Sequence, residues 1–152
     1  MRFLLDTNVL LRTAEPGHAQ FRSSSDALEL LREHGHTALI VPQVLYEFWS
    51  VATRPIENNG LGMTTAEAFR QVGVFHGLYR LLRDERAIYP IWEQLVTRLS
   101  VNGKTAHDSR LVAAMLRHSI THLLTYNTAD FKRYSEITAL SPVSVLDGAD
   151  LV

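Results

Sequence analysis

The strongest constraint on the fold is the alternation of short apolar runs with helical patterns. Residues 3–5 form a continuous apolar run that ends at Asp6, and residues 39–41 form a second run that ends at Pro42. Residues 122–125, with two leucines at their centre, form a third short segment that is predicted as a strand. Such runs are typical of strands that are buried on both faces, and helical segments between them imply βαβ units. We therefore expect an α/β fold with a mainly parallel central sheet of four to five strands and helices on both faces.

Two further short segments are expected to add strands. Residues 87–91 and residues 143–146 are largely apolar, although Pro90 would restrict the first of them to a sheet edge. A loop is expected over residues 55–63, which are rich in Pro, Asn and Gly. Helical patterns predict helices over residues 9–11, 19–34, 42–53, 64–83, 92–99 and 105–118, and a short helical turn over residues 127–134.

Length and composition point to one compact unit. The chain has 152 residues, of which 46% are hydrophobic, so we expect a single domain over residues 1–152. A net charge of −1 argues against indiscriminate coating of nucleic acid but does not exclude a nucleic-acid substrate. The lack of cysteine excludes disulfides, thiolate catalysis and sulfur-based zinc sites. With no apolar stretch long enough for a signal peptide or membrane span, we expect a cytoplasmic protein without a membrane partner.

Asp6 and Glu47 occupy positions where an acid needs an explanation. Asp6 directly follows the first predicted strand, where the crevice of a parallel sheet binds ligands, and Thr7 or Asn8 is expected to cap the helix after it. A helix cap or turn is the alternative role for Asp6. Glu47 shares a helical face with apolar residues at positions 44, 48 and 51. A buried carboxylate needs a cation, which would be a metal ion or an arginine, Arg54 or Arg110, unless Glu47 lies at the edge of the stripe with its carboxylate in water.

Asp108 and Asp130 each have a structural alternative as well. Asp108 lies on a predicted helical face whose other members, at positions 111, 112 and 115, are apolar. Thr105 and Asp108 also fit a capping box, and Asp130 fits the same position in a turn capped by Asn127. Taken alone, Asp108 and Asp130 are each better explained by capping.

Taken together, the four acids favour a metal site. Parallel strands end at one sheet edge, so we expect Asp6, Glu47, Asp108 and Asp130 to converge there. Four neighbouring carboxylates would repel each other or take up protons unless cations lay between them. Hard oxygen ligands favour Mg²⁺ or Mn²⁺ over zinc, and such ions can support phosphodiester hydrolysis.

The same residues resemble the PIN-domain nucleases. The resemblance is carried by Leu-Leu-Asp6-Thr-Asn-Val-Leu, the mid-helix Glu47, His-Asp108-Ser-Arg-Leu-Val-Ala-Ala and Leu-Leu-Thr125-Tyr-Asn127-Thr-Ala-Asp130-Phe, in that order. It is strongest to the VapC-type toxins of toxin–antitoxin pairs and covers residues 2 to about 146.

The resemblance implies a three-layer α/β/α domain with metal-dependent endoribonuclease activity. The four acids fall on the acidic positions of the family, where they would be both catalytic residues and metal ligands. Four polar residues match the residues that usually surround these acids: Thr7, Asn8, Thr125 and Asn127. It further implies an RNA substrate, a cognate antitoxin protein and a homodimer. The loop over residues 55–63 and the helix after it look longer than the family minimum, which bears on antitoxin docking and substrate choice.

Three other functions stay open on the sequence. A metal-independent ribonuclease would use two of the 7 histidines, although no pair has a suggestive spacing. A phosphoacceptor switch would also bind Mg²⁺, but such domains have an acidic pair after the first strand and a lysine after the last, and this chain has neither. A catalytically silent PIN fold that only binds a partner is the third.

Overall fold

The computed structural model describes residues 1–149 and 151 and contains a parallel sheet. The strand order is β3-β2-β1-β4-β5, and each neighbouring pair is parallel. The strands in chain order are β1 Arg2–Leu5, β2 Thr37–Ile40, β3 Arg80–Leu81, β4 His122–Leu124 and β5 Thr138–Leu140. The expected parallel sheet of four to five strands is therefore confirmed.

The helices pack around this sheet in a three-layer α/β/α arrangement. α5 packs against α6, while α2 packs against α1 and α7, and α1 also contacts α3. The helices are α1 Thr7–Thr13, α2 Phe21–Glu33, α3 Pro42–Thr53, α4 Thr65–Leu78, α5 Ile88–Arg98, α6 Thr105–Arg117 and α7 Pro142–Leu146. Two short 3₁₀ turns cover Ile56–Asn58 and Thr128–Phe131.

The core lies on both faces of the central strands. In β1, Phe3, Leu4 and Leu5 have no exposed surface, and Leu123 and Leu124 of β4 are equally buried. Complete burial on both faces explains why these strands are continuous apolar runs rather than alternating patterns. Removal of this apolar surface from water holds the two central strands side by side.

Several local signals act as the sequence predicts. Pro42 is at the first turn of α3, where a missing backbone N–H costs nothing. The capping box of Thr64 and Glu67 is formed at the start of α4. Gly35 follows α2 with a φ of +76°, a conformation that glycine adopts without steric cost.

Two of the predicted strands are wrong. Residues 87–91 begin α5, and Pro90 falls in its first turn, where backbone N–H groups have no partner within the helix. Residues 143–146 belong to α7, because the hydroxyl of Ser141 accepts a hydrogen bond from Ser144 N and so caps a helix. Short apolar runs fit a strand and a buried helix equally well, and here the caps and prolines decide in favour of helices.

The true edge strands occur in segments with weak patterns. β3 lies within the end of the helix predicted over residues 64–83. β5 precedes residues 143–146, which the sequence predicts as the last strand. Each pairs with a strand nearer the centre of the sheet: Leu81 with Ile40, and Leu140 with Leu124. Pairing with a strand already in place, rather than local propensity, makes these 2- and 3-residue segments extended.

The loop expected over residues 55–63 contains one 3₁₀ turn and needs a glycine. A Cβ on Gly60 would lie 2.0 Å from the carbonyl oxygen of Arg54, so only glycine fits there. Within residues 1–149 and 151, no helix combines the length and the apolar character that a membrane crossing requires.

Candidate active site

The site lies where the strand order reverses. β1 lies between β2 and β4, and the chain proceeds outward from β1 to β3 before it returns to β4 on the other side. The parallel pairing continues one residue past the strands, since Asp6 N donates to Leu124 O at 3.0 Å and Thr125 N donates to Leu140 O at 2.9 Å. Asp6 and Thr125 therefore lie next to each other at the switch point, the general position of ligand sites in open α/β sheets.

Asp6 is a buried carboxylate with several hydrogen-bond donors around it. Its side chain accepts bonds from Thr7 N at 2.7 Å, from the Thr125 hydroxyl at 2.7 Å and from Asn8 Nδ2 at 3.3 Å. Asp6 itself, rather than Thr7 or Asn8, is the N-cap of α1. The capping role and the site role therefore coincide in one residue.

The electrostatics of Asp6 disfavour its charged form. Burial is the main cause, and it raises the pKa of Asp6 from 3.8 to about 6. The hydrogen bonds from Thr125 and Thr7 act in the opposite direction, while the negative charges of Glu47 and Asp108 raise the pKa further. A cation beside Asp6 would offset both unfavourable effects.

Glu47 faces the same place from α3. Its carboxylate accepts a hydrogen bond from the Thr7 hydroxyl at 2.7 Å and another from Gln43 Nε2 at 2.9 Å. In the described part of the chain, neither Arg54 nor Arg110 forms an ion pair with Glu47, and Arg110 instead contacts Asp84 Oδ2 at 3.2 Å. The arginine pairing that the sequence left open is thus not formed.

Asp108 lies half-buried in the first turn of α6. The capping box considered for it is not formed, because Lys104 is the N-cap and the Thr105 hydroxyl donates to Asn102 O. Burial, followed by the charges of Asp130 and Glu47, raises the pKa of Asp108, and Arg133 and His107 oppose the increase. The carboxylate is therefore near the other acids rather than engaged in capping.

Asp130 is the most exposed of the four acids. It lies in the 3₁₀ turn that follows β4, and its backbone N–H donates to Asn127 O. The side chain of Asn127 makes no capping hydrogen bond there. The charge of Asp130 contributes to the raised pKa of Asp108, so the two carboxylates are near each other.

Three of the four expected supporting residues contribute side chains. Thr7 holds Glu47, and Thr125 holds Asp6. Asn8 spans the switch point, since its Nδ2 donates to the Thr125 hydroxyl at 3.1 Å and its Oδ1 accepts from Tyr126 N at 3.1 Å. Asn127 contributes only its backbone N–H, which donates to the Thr125 hydroxyl at 3.0 Å.

One buried polar residue was missed in the sequence. Gln43 is 7% exposed and contacts Glu47, the backbone of His107 and Arg110. The sequence did contain a signal for the contact between Gln43 and Glu47. The two residues are four positions apart on one predicted helix, and side chains with this spacing are neighbours on a helix surface. Gln43 lies in the first turn of the helix, where a polar residue attracts no notice.

The oxygen atoms of the four acids and of the threonine hydroxyls beside them suit a hard divalent cation. Carboxylate and hydroxyl oxygens are the ligands that Mg²⁺ and Mn²⁺ prefer. Burial, and after it the charges of neighbouring acids, raises the pKa of Asp6 and of Asp108, so a nearby cation would favour the charged forms of both. Within residues 1–149 and 151, no three or more His, Cys, Asp or Glu side chains lie close enough together to hold a metal ion in the positions that they occupy.

Fold and site together define a parallel α/β domain with an acidic crevice at its switch point. The PIN domain model matches residues 3–137, and the chain belongs to the PIN domain family. The family predicted from the order of the acids is thereby confirmed. Because the match ends at residue 137, one domain over residues 1–152 stays a prediction. No curated protein matches the chain.

Solved structures of similar fold include two VapBC proteins and one VapC toxin. VapBC2 from Rickettsia felis, bound to a promoter DNA fragment, is 18% identical with a TM-score of 0.72, covering 93% of this chain and 98% of that one. VapBC-1 from nontypeable Haemophilus influenzae is 14% identical with a TM-score of 0.66, covering 94% and 99%. VapC20 from Mycobacterium tuberculosis, a Sarcin-Ricin loop cleaving toxin, is 16% identical with a TM-score of 0.57, covering 80% and 86%. At these identities the likeness establishes the fold.

Proposed function

We propose that this chain is a Mg²⁺- or Mn²⁺-dependent endoribonuclease and the toxin of a toxin–antitoxin pair. The observation that carries the proposal is the buried Asp6 carboxylate, whose pKa is raised to about 6 among the charges of Glu47 and Asp108. A chain gains nothing in stability from several carboxylates directed at one crevice, because each of them disfavours ionisation of the others. Such an arrangement is expected where a cation binds.

The proposed metal ligands and catalytic residues are the four acids. Asp6, Asp108 and Asp130 would hold the ion, and Glu47 would bind it directly or through water. When bound, Mg²⁺ or Mn²⁺ would lower the pKa of a water molecule and would stabilise negative charge on the phosphate oxygens. Thr125 and Asn8 orient the Asp6 carboxylate toward the crevice, and Thr7 orients Glu47.

In the proposed reaction, a water molecule attacks the phosphorus of an RNA phosphodiester in line with the 3′ oxygen. The bond from phosphorus to the 3′ oxygen breaks, which leaves a 5′ phosphate and a 3′ hydroxyl that takes its proton from solvent. Glu47 would accept the proton of the attacking water, since each of its oxygens accepts one hydrogen bond and keeps a free lone pair. General-base assistance of this kind contributes about 10²–10⁴-fold to a rate.

Basic residues near the acids would contact RNA phosphates. Lys104, Lys132 and Arg133 are exposed, and Arg133 is near enough to Asp108 to lower its pKa. Arg12 and Arg110 are engaged in ion pairs with Glu15 and Asp84. The exposed group is therefore the better source of phosphate contacts.

The toxin assignment rests on the structural neighbours. The VapBC structures contain a toxin with its antitoxin, and VapC20 is named as a toxin that cleaves the Sarcin-Ricin loop. By analogy we assign this chain a cognate antitoxin protein, an RNA substrate, a homodimeric state and a cytoplasmic location. Co-purification with the product of an adjacent reading frame would test the antitoxin partner. Light scattering of the purified protein would test the homodimeric state.

The central experiment is cleavage of structured RNA by the purified chain with MgCl₂, with MnCl₂ and with excess EDTA. The proposal predicts cleavage that either metal supports and EDTA abolishes. Cleavage that persists in EDTA would favour a metal-independent ribonuclease with two histidines as acid and base. Absence of both cleavage and metal binding would favour a silent PIN fold that only binds a partner.

A further inference from the structure

Gln43 forms a bridge between the two helices that carry Glu47 and Asp108. Its Nε2 donates to Glu47 Oε1 at 2.9 Å and to the backbone oxygen of His107 at 2.9 Å. Its Oε1 accepts a hydrogen bond from Arg110 Nη1 at 3.0 Å. One side-chain amide thus contacts α3 through Glu47 and α6 through both His107 and Arg110.

The three partners leave this amide only one orientation. A carboxylate and a carbonyl accept hydrogen bonds and must face the NH₂ group, whereas a guanidinium only donates and must face the oxygen. A flip of the amide would lose all three bonds inside a buried environment. Gln43 is 7% exposed, so water cannot replace the lost partners at low cost.

The bridge acts on two of the four acids. Glu47 is contacted directly, and His107 is the residue before Asp108, so the bond to its carbonyl oxygen holds the backbone that carries Asp108. The hydrogen bonds of Gln43 therefore constrain the position of Glu47 on α3 relative to the backbone of α6 next to Asp108. The mutual charge effect of Glu47 on Asp108 tends to push the two apart.

Arg110 donates a hydrogen bond to the oxygen of Gln43 and is itself held by an ion pair. Its guanidinium pairs with Asp84 Oδ2 at 3.2 Å, in the loop between β3 and α5. A second arginine of α6, Arg117, pairs with the next residue of that loop, Glu85. Both arginines tie α6 to the same loop, but the hydrogen bond to Gln43 comes from Arg110.

We propose that Gln43, held in place by Arg110, is a positioning residue that sets the spacing of Glu47 and Asp108 for the divalent cation. The inference rests on the proposed metal-dependent activity. The alternative is that Gln43 only joins α3 to α6 and adds stability. The two roles differ in metal affinity, because a purely structural joint has no effect on it once the protein is folded.

The first test replaces Gln43 with methionine, which has a similar length and no donor. For the RNA-free protein we expect Mn²⁺ to bind about 10-fold more weakly by calorimetry, the lower end of the effect of losing a residue that orients metal ligands. Cleavage should show a kcat lowered by roughly 10–100-fold with KM for RNA little changed. An unchanged Kd for Mn²⁺ in a folded variant of lower Tm would overturn the inference in favour of the structural role.

A matched pair of arginine variants provides the control and does not alter Gln43 itself. Arg110→Met removes the support of the glutamine, and Arg117→Met removes the corresponding ion pair without touching the bridge. We expect weaker Mn²⁺ binding in the first variant and wild-type Mn²⁺ affinity in the second. Equal Mn²⁺ affinities in the two variants would contradict the inference, even if the Gln43 variant failed to fold.

The wild-type protein separates failure of this inference from failure of the proposed function. If the wild type neither binds Mn²⁺ nor cleaves RNA, the proposed function fails and the positioning role fails with it. If the wild type does both and the Gln43 and Arg110 variants match it in Mn²⁺ affinity, only the positioning role is wrong.

Discussion

The hydroxyl of Thr125 donates a 2.7 Å hydrogen bond to Oδ2 of Asp6, across the adjacent ends of β4 and β1. The two residues are 119 positions apart in the chain. Thr125 is completely buried, and its oxygen also accepts hydrogen bonds from Asn8 Nδ2 and from the backbone of Asn127. One hydroxyl thus fixes the orientation of the most buried acid in the site.

Replacement of Thr125 by valine should weaken the site and leave the fold intact. Valine keeps the shape but removes the donor, so the pKa of Asp6 should rise above about 6, since this hydrogen bond lowers it. We expect a loss of roughly 1–2 kcal/mol in the free energy of unfolding, because a buried charged group loses a partner. Chemical denaturation and a carboxyl NMR titration would measure the two effects. Thr97→Val, on the exposed surface of α5, should change neither, and an unaltered Asp6 titration in Thr125→Val would contradict the prediction.

Asp6→Asn should abolish both RNA cleavage and growth toxicity. The substitution removes a charged ligand but keeps the shape and the cap position of α1, so the loss should exceed the ~100-fold that disruption of an outer-shell partner costs. Asp26→Asn, at an exposed position of α2, is the matched control and should cleave like the wild type. Retained toxicity in a soluble, folded Asp6→Asn protein would refute the assignment of Asp6 to the metal site.

The stability of the metal-free protein should depend on pH through Asp6. Its folded-state pKa of about 6 lies above the ordinary value of 3.8, so the native state binds this proton more tightly than the unfolded state does. The stabilising contribution is complete below pH 3.8 and is lost as the pH rises through about 6. As the pH rises from 4 to 7, the Asp6→Asn protein should therefore become more stable relative to the wild type by about 2 kcal/mol. Urea titrations in EDTA would measure this difference, and a pH-independent difference would show that burial does not perturb Asp6.

Mn²⁺ or Mg²⁺ should raise the Tm of the wild-type protein. A ligand that binds only the native state stabilises it by about 2.7 kcal/mol when its concentration is 100 times Kd. For a chain of this size, each kcal/mol corresponds to roughly 2–4 °C. Differential scanning fluorimetry with increasing MnCl₂ would detect the shift, and Asp6→Asn should lack it. An equal shift in both proteins would place the bound metal elsewhere.

The sequence singled out Asp6 and Glu47, which the structure connects through Thr7, but it misplaced the edge strands of the sheet. Glu47 stood out because it interrupts an apolar helical stripe, and the order of the four acids identified the family. The outer strands were misplaced because β3 has only 2 residues and β5 only 3, too few to show a periodic pattern. Their extended form comes from pairing with β2 and β4, which no local pattern contains.

The roles of Asp108 and Asp130 also needed the structure. In the sequence both acids fit helix caps, and only the geometry shows that neither capping arrangement is formed. Gln43 was overlooked for the converse reason. A glutamine in the first turn of a helix is unremarkable until its contacts to a second helix are seen.

The order of residue types along the chain was enough to predict the class of fold and the family, and to single out four acids as candidate site residues. Apolar runs and helix caps act over a few residues and can be recognised there. The tertiary structure alone decided which oxygen of Asp6 meets Thr125, which acids are buried, and that Gln43 joins Glu47 to the start of α6. These relationships depend on strand order and helix packing, since they join residues that are 40 to 119 positions apart and that only the folded chain brings within hydrogen-bond distance.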